Sequence, residues 1–136
     1  MGILDRIASP ADVKDVAQAD LPALAQELRG EIIDAISKTG GHLASSLGTV
    51  ELTIALLRVF APPRDKIVWD VGHQAYAWKI LTGRDGDFGT LRKMGGISGF
   101  PNPAESKADA AVAGHAGVAL SVAEEDKILL LPDDPC

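Results

Sequence analysis

Every histidine of the chain follows a glycine: Gly41-His42, Gly72-His73 and Gly114-His115. The second and third pairs stand where a β-branched or apolar run ends and a helix would begin. In open α/β sheets ligands bind outside the carboxyl ends of strands, and a helix N-terminus there offers backbone N–H groups to phosphate. Glycine permits the close backbone approach such a site needs. An imidazole in that position can donate to phosphate or hydroxyl oxygens and exchange a proton near neutral pH. The competing reading is a set of turn or capping histidines. Zinc carries less weight, because no two histidines are close in sequence and the single cysteine, Cys136, is the last residue.

The elements that must position these pairs follow from patterning. Ser9-Pro10 marks a short helix start in an N-terminal arm, and Asp20-Leu21-Pro22 marks a stronger one. Leu21, Leu24, Leu28, Ile32 and Ile36 recur at helical spacing until Gly40-Gly41 stop the run. Residues 48–60 carry apolar side chains on most faces and predict a helix buried nearly all round, ended by Pro62-Pro63. Lys66 to Val71 reads as a buried parallel strand closed by Gly72. Residues 74–82 read as helix up to Gly83, with one more short helix over 90–93, then a Gly- and Pro-rich surface loop over 94–107. Ala108 to Ala113 predicts a second strand, and Lys127 to Leu131 a third apolar run stopped by Pro132. Strand, helical crossover and strand make the βαβ pattern, so the expected class is α/β: a partial parallel sheet flanked by helices.

Size and charge bound the function. With 136 residues and 14.2 kDa the chain suits one domain and excludes a large multi-domain enzyme. The net charge of −6 argues against a nucleic-acid or anionic-membrane partner. Five acids (Glu124, Glu125, Asp126, Asp133, Asp134) against Lys127 place −4 of that charge in the last thirteen residues. Asp133 and Asp134, between prolines, read as solvated charge rather than a cation site. A lone cysteine, no bilayer-length apolar run and no basic-then-apolar leader read as cytoplasmic. Trp69 and Trp78, flanking the His73 turn, read as core. Arg84, Arg92 and Lys93 read as solvent-facing, with a contact to substrate phosphate as the alternative.

Asp70-Val71-Gly72-His73-Gln74-Ala75-Tyr76 with Lys79 to Arg84 resembles a signature of the 1-deoxy-D-xylulose-5-phosphate synthases. Gly41 to Thr53, Leu21-Pro22 with Glu27 to Arg29, and Gly95 to Pro101 with Glu105-Ser106 and Asp109 resemble the same family, in order, up to about His115. The resemblance implies the N-terminal part of a thiamine-diphosphate-dependent, transketolase-like transferase of isoprenoid and thiamine biosynthesis. Such an enzyme joins pyruvate to glyceraldehyde 3-phosphate with loss of carbon dioxide and works as a homodimer with magnesium. Carried over residue by residue, His42 and His73 would be catalytic, with His42 facing the substrate. His73 would contact the cofactor, and Gly114, His115 and Ala116 would lie against its diphosphate.

The resemblance also has gaps. Where the family has small hydroxyl residues, Gly117-Val118-Ala119-Leu120 stand here, and the family's magnesium-holding Gly-Asp-Gly motif and its catalytic glutamate do not occur. No metal ligand is therefore assigned, and no turnover is expected of this chain alone. Residues 1–120 read as part of the thiamine-diphosphate-binding domain and 121–136 as a divergent acidic tail, the mark of a truncation, deletion or shifted frame. Two alternatives stand beside this: a non-catalytic binding or assembly module of the same fold, and one chain of a split transketolase-type enzyme.

Overall fold

Pro22, whose missing N–H costs nothing in a first helical turn, opens α1, Leu21–Thr39. The computed structural model from which these elements are taken describes residues 2–41, 43–112 and 116–130, with side chains up to residue 124. As the spacing predicts, Leu24, Leu28 and Ile32 are buried along one face of α1, joined by Ala25 and Ala35, while Leu21 and Ile36 pack at its margins. Asp20 ends a 3-10 turn in helical conformation, and its side chain makes no capping bond. The N-terminal arm is pinned to α1 instead through Glu27, whose carboxylate accepts the N–H groups of Ile3 at 2.9 Å and Leu4 at 2.7 Å. A second 3-10 turn, Pro10–Asp15, follows Ser9. There Asp12 accepts the Ser9 and Ala8 N–H groups, which hold its carboxyl below the usual range.

The predicted helix over 48–60 is α3, Val50–Val59, and a further helix not expected from the sequence, α2 (Leu43–Gly48), precedes it across Thr49. Val50, Thr53, Ile54 and Leu57 face the core. The opposite face is open, with Leu52, Val59 and Phe60 exposed, so this helix is half-buried rather than buried all round. Lys14 donates to the carbonyls of Leu57 and Phe60 at the end of α3, and Arg58 donates back to Val13 O at 3.1 Å and Val16 O at 2.8 Å. The arm and α3 thus satisfy each other's free carbonyls.

The expected partial parallel sheet does not form. Among the described residues there is no strand, and the fold there is helical with irregular connections. Residues 66–69 and 108–112 are irregular, and of the third apolar run residues 127–130 lie in α5, Ala119–Leu130; Ala113 and Leu131 lie outside the described residues. The physical reason lies in the ladder: a β-branched run becomes a strand only when a neighbour takes its N–H and C=O groups, and these two runs are not paired.

Of the run over 66–71 only Trp69 is fully buried; Ile67, Val68 and Val71 are half-buried, and Lys66 and Asp70 are exposed. Trp69 is buried and meets Trp78 edge to face at 5.9 Å, so the reading of both tryptophans as core holds. Trp78 belongs to α4, Tyr76–Lys79, which continues into one π turn, Ile80–Arg84, and breaks where Gly83 takes φ 99°. A 3-10 turn, Asp85–Thr90, then stands in place of the short helix predicted over 90–93. Its Phe88 packs edge to face on Tyr76 at 5.9 Å. Beyond it Gly96 folds back so tightly that a Cβ there would lie 2.1 Å from the Thr90 carbonyl oxygen, which only glycine tolerates.

Candidate functional site

The His73 turn is built from two successive residues with positive φ, Val71 at 72° and Gly72 at 88°. Two hydroxyls from the α2–α3 junction anchor it. Ser46 Oγ donates to the His73 carbonyl at 3.0 Å, and Thr49 Oγ1 donates to the Gln74 carbonyl at 2.7 Å. Neither anchor stood out in the sequence, although both hydroxyls lie within the Gly41 to Thr53 motif.

Two of the three glycine–histidine segments are brought together here through the backbone around them. Gly41 lies over Tyr76, three residues past His73, and a Cβ on Gly41 would sit 2.8 Å from the Tyr76 hydroxyl. His42, Gly114 and His115 lie outside the described residues. Ala116 is described and exposed, in the turn leading to α5. That turn also meets the His73 segment: the Asp70 carboxylate accepts the Gly117 N–H at 2.8 and 3.0 Å and the Ala119 N–H at 3.3 Å. The end of the 66–71 run is therefore tied to the turn that opens α5.

Beside His73 lies a cavity of about 370 Å³, walled by Tyr76, Arg92, Lys93, Ser98, Phe100 and Asn102 among others. The Phe100 ring meets the imidazole edge to face at 6.3 Å. Arg92 and Lys93 are exposed, as the sequence reading expects. Tyr76 is 1% exposed, and its hydroxyl has no hydrogen-bond partner among the described residues.

Arg84 departs from expectation, being buried rather than solvent-facing. It lies inside a charge cluster that sequence reasoning did not assemble. Arg84 Nη1 and Nη2 fork onto Asp109 at 2.5 and 2.8 Å, and Trp78 Nε1 adds a bond to Asp109 Oδ1 at 2.9 Å. Lys79, fully buried, donates to Glu105 Oε1 at 2.8 Å, which Arg84 Nη1 also reaches at 3.1 Å. The other faces of the two acids hold the loop: Ser98 N–H donates to Glu105 Oε2 at 2.7 Å, and Asn102 N–H to Asp109 Oδ2 at 2.7 Å. Burial pushes both carboxyls up, but the bonds from Lys79, Ser98 and Arg84 to Glu105, and from Arg84, Asn102 and Trp78 to Asp109, outweigh it and hold both below the usual range. Burial also lowers the Lys79 ammonium, against the pull of Glu105. The signal was in the sequence: a lysine embedded in the apolar run from Tyr76 to Leu81 must find a carboxylate.

These residues divide in their fit to a diphosphate-bearing group. The His73 cavity can take one, with an imidazole and the Arg92 and Lys93 cations on its wall beside the Glu105 carboxylate, which Lys79 and Arg84 already pair. The start of α5 does not, because Asp70 already takes its first N–H groups and puts a negative charge where an anion would go. Among the described residues no group of three or more His, Cys, Asp and Glu is arranged to hold a metal, and no helix is long and apolar enough to cross a membrane.

A family model described as 1-deoxy-D-xylulose-5-phosphate synthase matches residues 4–126. The chain is 58% identical over 122 residues to a protein of that name from Nitratidesulfovibrio vulgaris, covering 90% of this chain and 19% of the relative. It is 60% identical over 121 residues to 1-deoxy-D-xylulose-5-phosphate synthase 2 of Geobacter sulfurreducens (89% and 19%), and 58% identical over 120 residues to the Rhodobacter capsulatus protein (88% and 19%). The chain thus spans about a fifth of the length of these curated relatives.

Proposed function

The chain belongs to the 1-deoxy-D-xylulose-5-phosphate synthase family, and from that premise we propose that it supplies the N-terminal share of a thiamine-diphosphate-dependent transferase. The reaction is the condensation of pyruvate with D-glyceraldehyde 3-phosphate to 1-deoxy-D-xylulose 5-phosphate and carbon dioxide, an early step toward isoprenoids. The observation that carries the proposal is the match over residues 4–126, which runs through the Gly41 to Thr53 and Asp70 to Arg84 motifs and through the residues that line the His73 cavity.

In this reading His73 contacts the cofactor from the cavity wall, His42 faces the substrate, and Gly114, His115 and Ala116 lie against the diphosphate. Thiamine diphosphate, when bound, supplies the carbanion-stabilising chemistry of the reaction. The chain's own part is to orient His73 through Ser46 and the Val71–Gly72 turn, and to place Arg92 and Lys93 where a phosphate-bearing ligand would pass. We read residues 1–120 as the family-like part and 121–136 as the acidic tail, with α5 crossing that boundary and the family match extending to residue 126 within it. Magnesium binding and the proton relay to the cofactor belong to the remaining four-fifths of the family's length, and the complete enzyme is a cytoplasmic homodimer.

The chain alone then lacks an autonomous cofactor site. Millimolar thiamine diphosphate with magnesium leaves its melting temperature unchanged, because a ligand preferring the folded state would raise it. A rise of several degrees would contradict this reading.

A further inference from the structure

The buried cations and the Gly- and Pro-rich loop meet at one residue. Glu105 faces Lys79 and Arg84 with Oε1 and the backbone N–H of Ser98 with Oε2. Ser98 in turn accepts the Phe100 N–H on its hydroxyl at 3.1 Å. Phe100 is the aromatic wall that touches His73. An unbroken path therefore runs from the fully buried Lys79 on α4 through Glu105, Ser98 and Phe100 to the His73 ring, in the turn three residues before α4 begins. The loop has no regular secondary structure to hold it, and its position rests on such side-chain bonds.

We propose that Glu105 is a positioning residue for His73: its carboxylate ties the loop over 94–107 to the buried Lys79–Arg84 pair, and so fixes the Phe100 wall against the imidazole. The inference rests on the reading of His73 as a site residue only for its functional meaning, since the geometry of the loop stands without it. Replacing a residue that merely added stability would lower the melting temperature and leave His73 as it was. A positioning residue changes the surroundings of the ring even where the chain stays folded.

The test uses this chain, ¹⁵N-labelled, as native protein, Glu105→Gln and Glu105→Asp. The readouts are amide exchange at Ser98 and Phe100 and the imidazole proton resonances of His73. In Glu105→Gln, exchange at Ser98 quickens roughly tenfold and the His73 ring resonances move away from the ring-current shift imposed by Phe100. Glu105→Asp, which keeps the charge, restores part of both. A folded Glu105→Gln chain with unchanged His73 resonances overturns the proposal. Should Glu105→Gln fail to fold, Ser98→Ala removes the hydroxyl under Phe100 and leaves every buried charge paired. It moves the His73 resonances if the path is real, and unmoved resonances overturn it. Loss of the cofactor reading would show instead in ligand binding, which these resonances do not require.

Discussion

Arg84 and Asp109 face each other fork to fork, Nη1 to Oδ2 at 2.5 Å and Nη2 to Oδ1 at 2.8 Å, with both side chains buried. Arg84 keeps one further buried donor, Nε, without a partner among the described residues. Removing the acid would strand a guanidinium that already has one unsatisfied nitrogen. Asp109→Ala is expected to cost about 3–5 kcal/mol, the usual penalty for breaking a buried pair from one side. Urea unfolding of the two chains checks it, and a loss below about 1 kcal/mol would mean that water reaches the pair.

The same cluster contributes to the acid limit of the fold. Glu105 and Asp109 both titrate below their ordinary values, so the stability they provide is complete above the ordinary carboxylate range near pH 4. It is lost as pH falls through the lowered values. Melting temperatures between pH 7 and pH 3 are expected to fall more steeply for the native chain than for Glu105→Gln, which has one fewer such group. Parallel curves would remove Glu105 from the account.

Much of this arrangement was legible in the residues and some was not. The face of α1 followed from the spacing of Leu24, Leu28 and Ile32, since a helix satisfies its own backbone and periodicity reports which side is buried. The strands over 66–71 and 108–113 did not follow, because a strand is decided by its neighbour and local patterning carries no information about one. The meeting of Asp70 with Gly117 was foreseeable only in outline, from two glycine–histidine pairs each ending an apolar run. The burial of Arg84 depends on Asp109, separated by a loop, and a lone arginine before Asp85 reads as surface until that contact is seen.

Gly41 can be tested directly. It has φ 142° and lies close enough to Tyr76 that a Cβ would meet the hydroxyl at 2.8 Å. Gly41→Ala is expected to lose about 1–3 kcal/mol through backbone strain and the displaced ring. Tyrosine fluorescence and chemical denaturation report the two effects together. Unchanged stability would show that the Gly41 segment does not rest on Tyr76.

Asp70 offers a second local test. Its carboxylate takes two of the N–H groups at the start of α5, a favourable place for a negative charge. Asp70→Ala is expected to quicken amide exchange at Gly117 roughly fivefold, the size of a lost helix cap, and to leave α1 unaffected. Equal exchange in both chains would mean that the start of α5 is held by something else.

The account as a whole turns on whether this chain contributes His73 to a site completed by the rest of a synthase. The direct measurement is formation of 1-deoxy-D-xylulose 5-phosphate from pyruvate and D-glyceraldehyde 3-phosphate, with thiamine diphosphate and magnesium. It is made with the chain alone and with the chain added to a full-length relative from which the matching first fifth has been removed. The account predicts no product from either piece alone, product from the pair, and loss of at least a hundredfold, on the order of general acid–base contributions, when the chain carries His73→Ala. Product from the chain alone, or a reconstituted pair indifferent to His73→Ala, would contradict it.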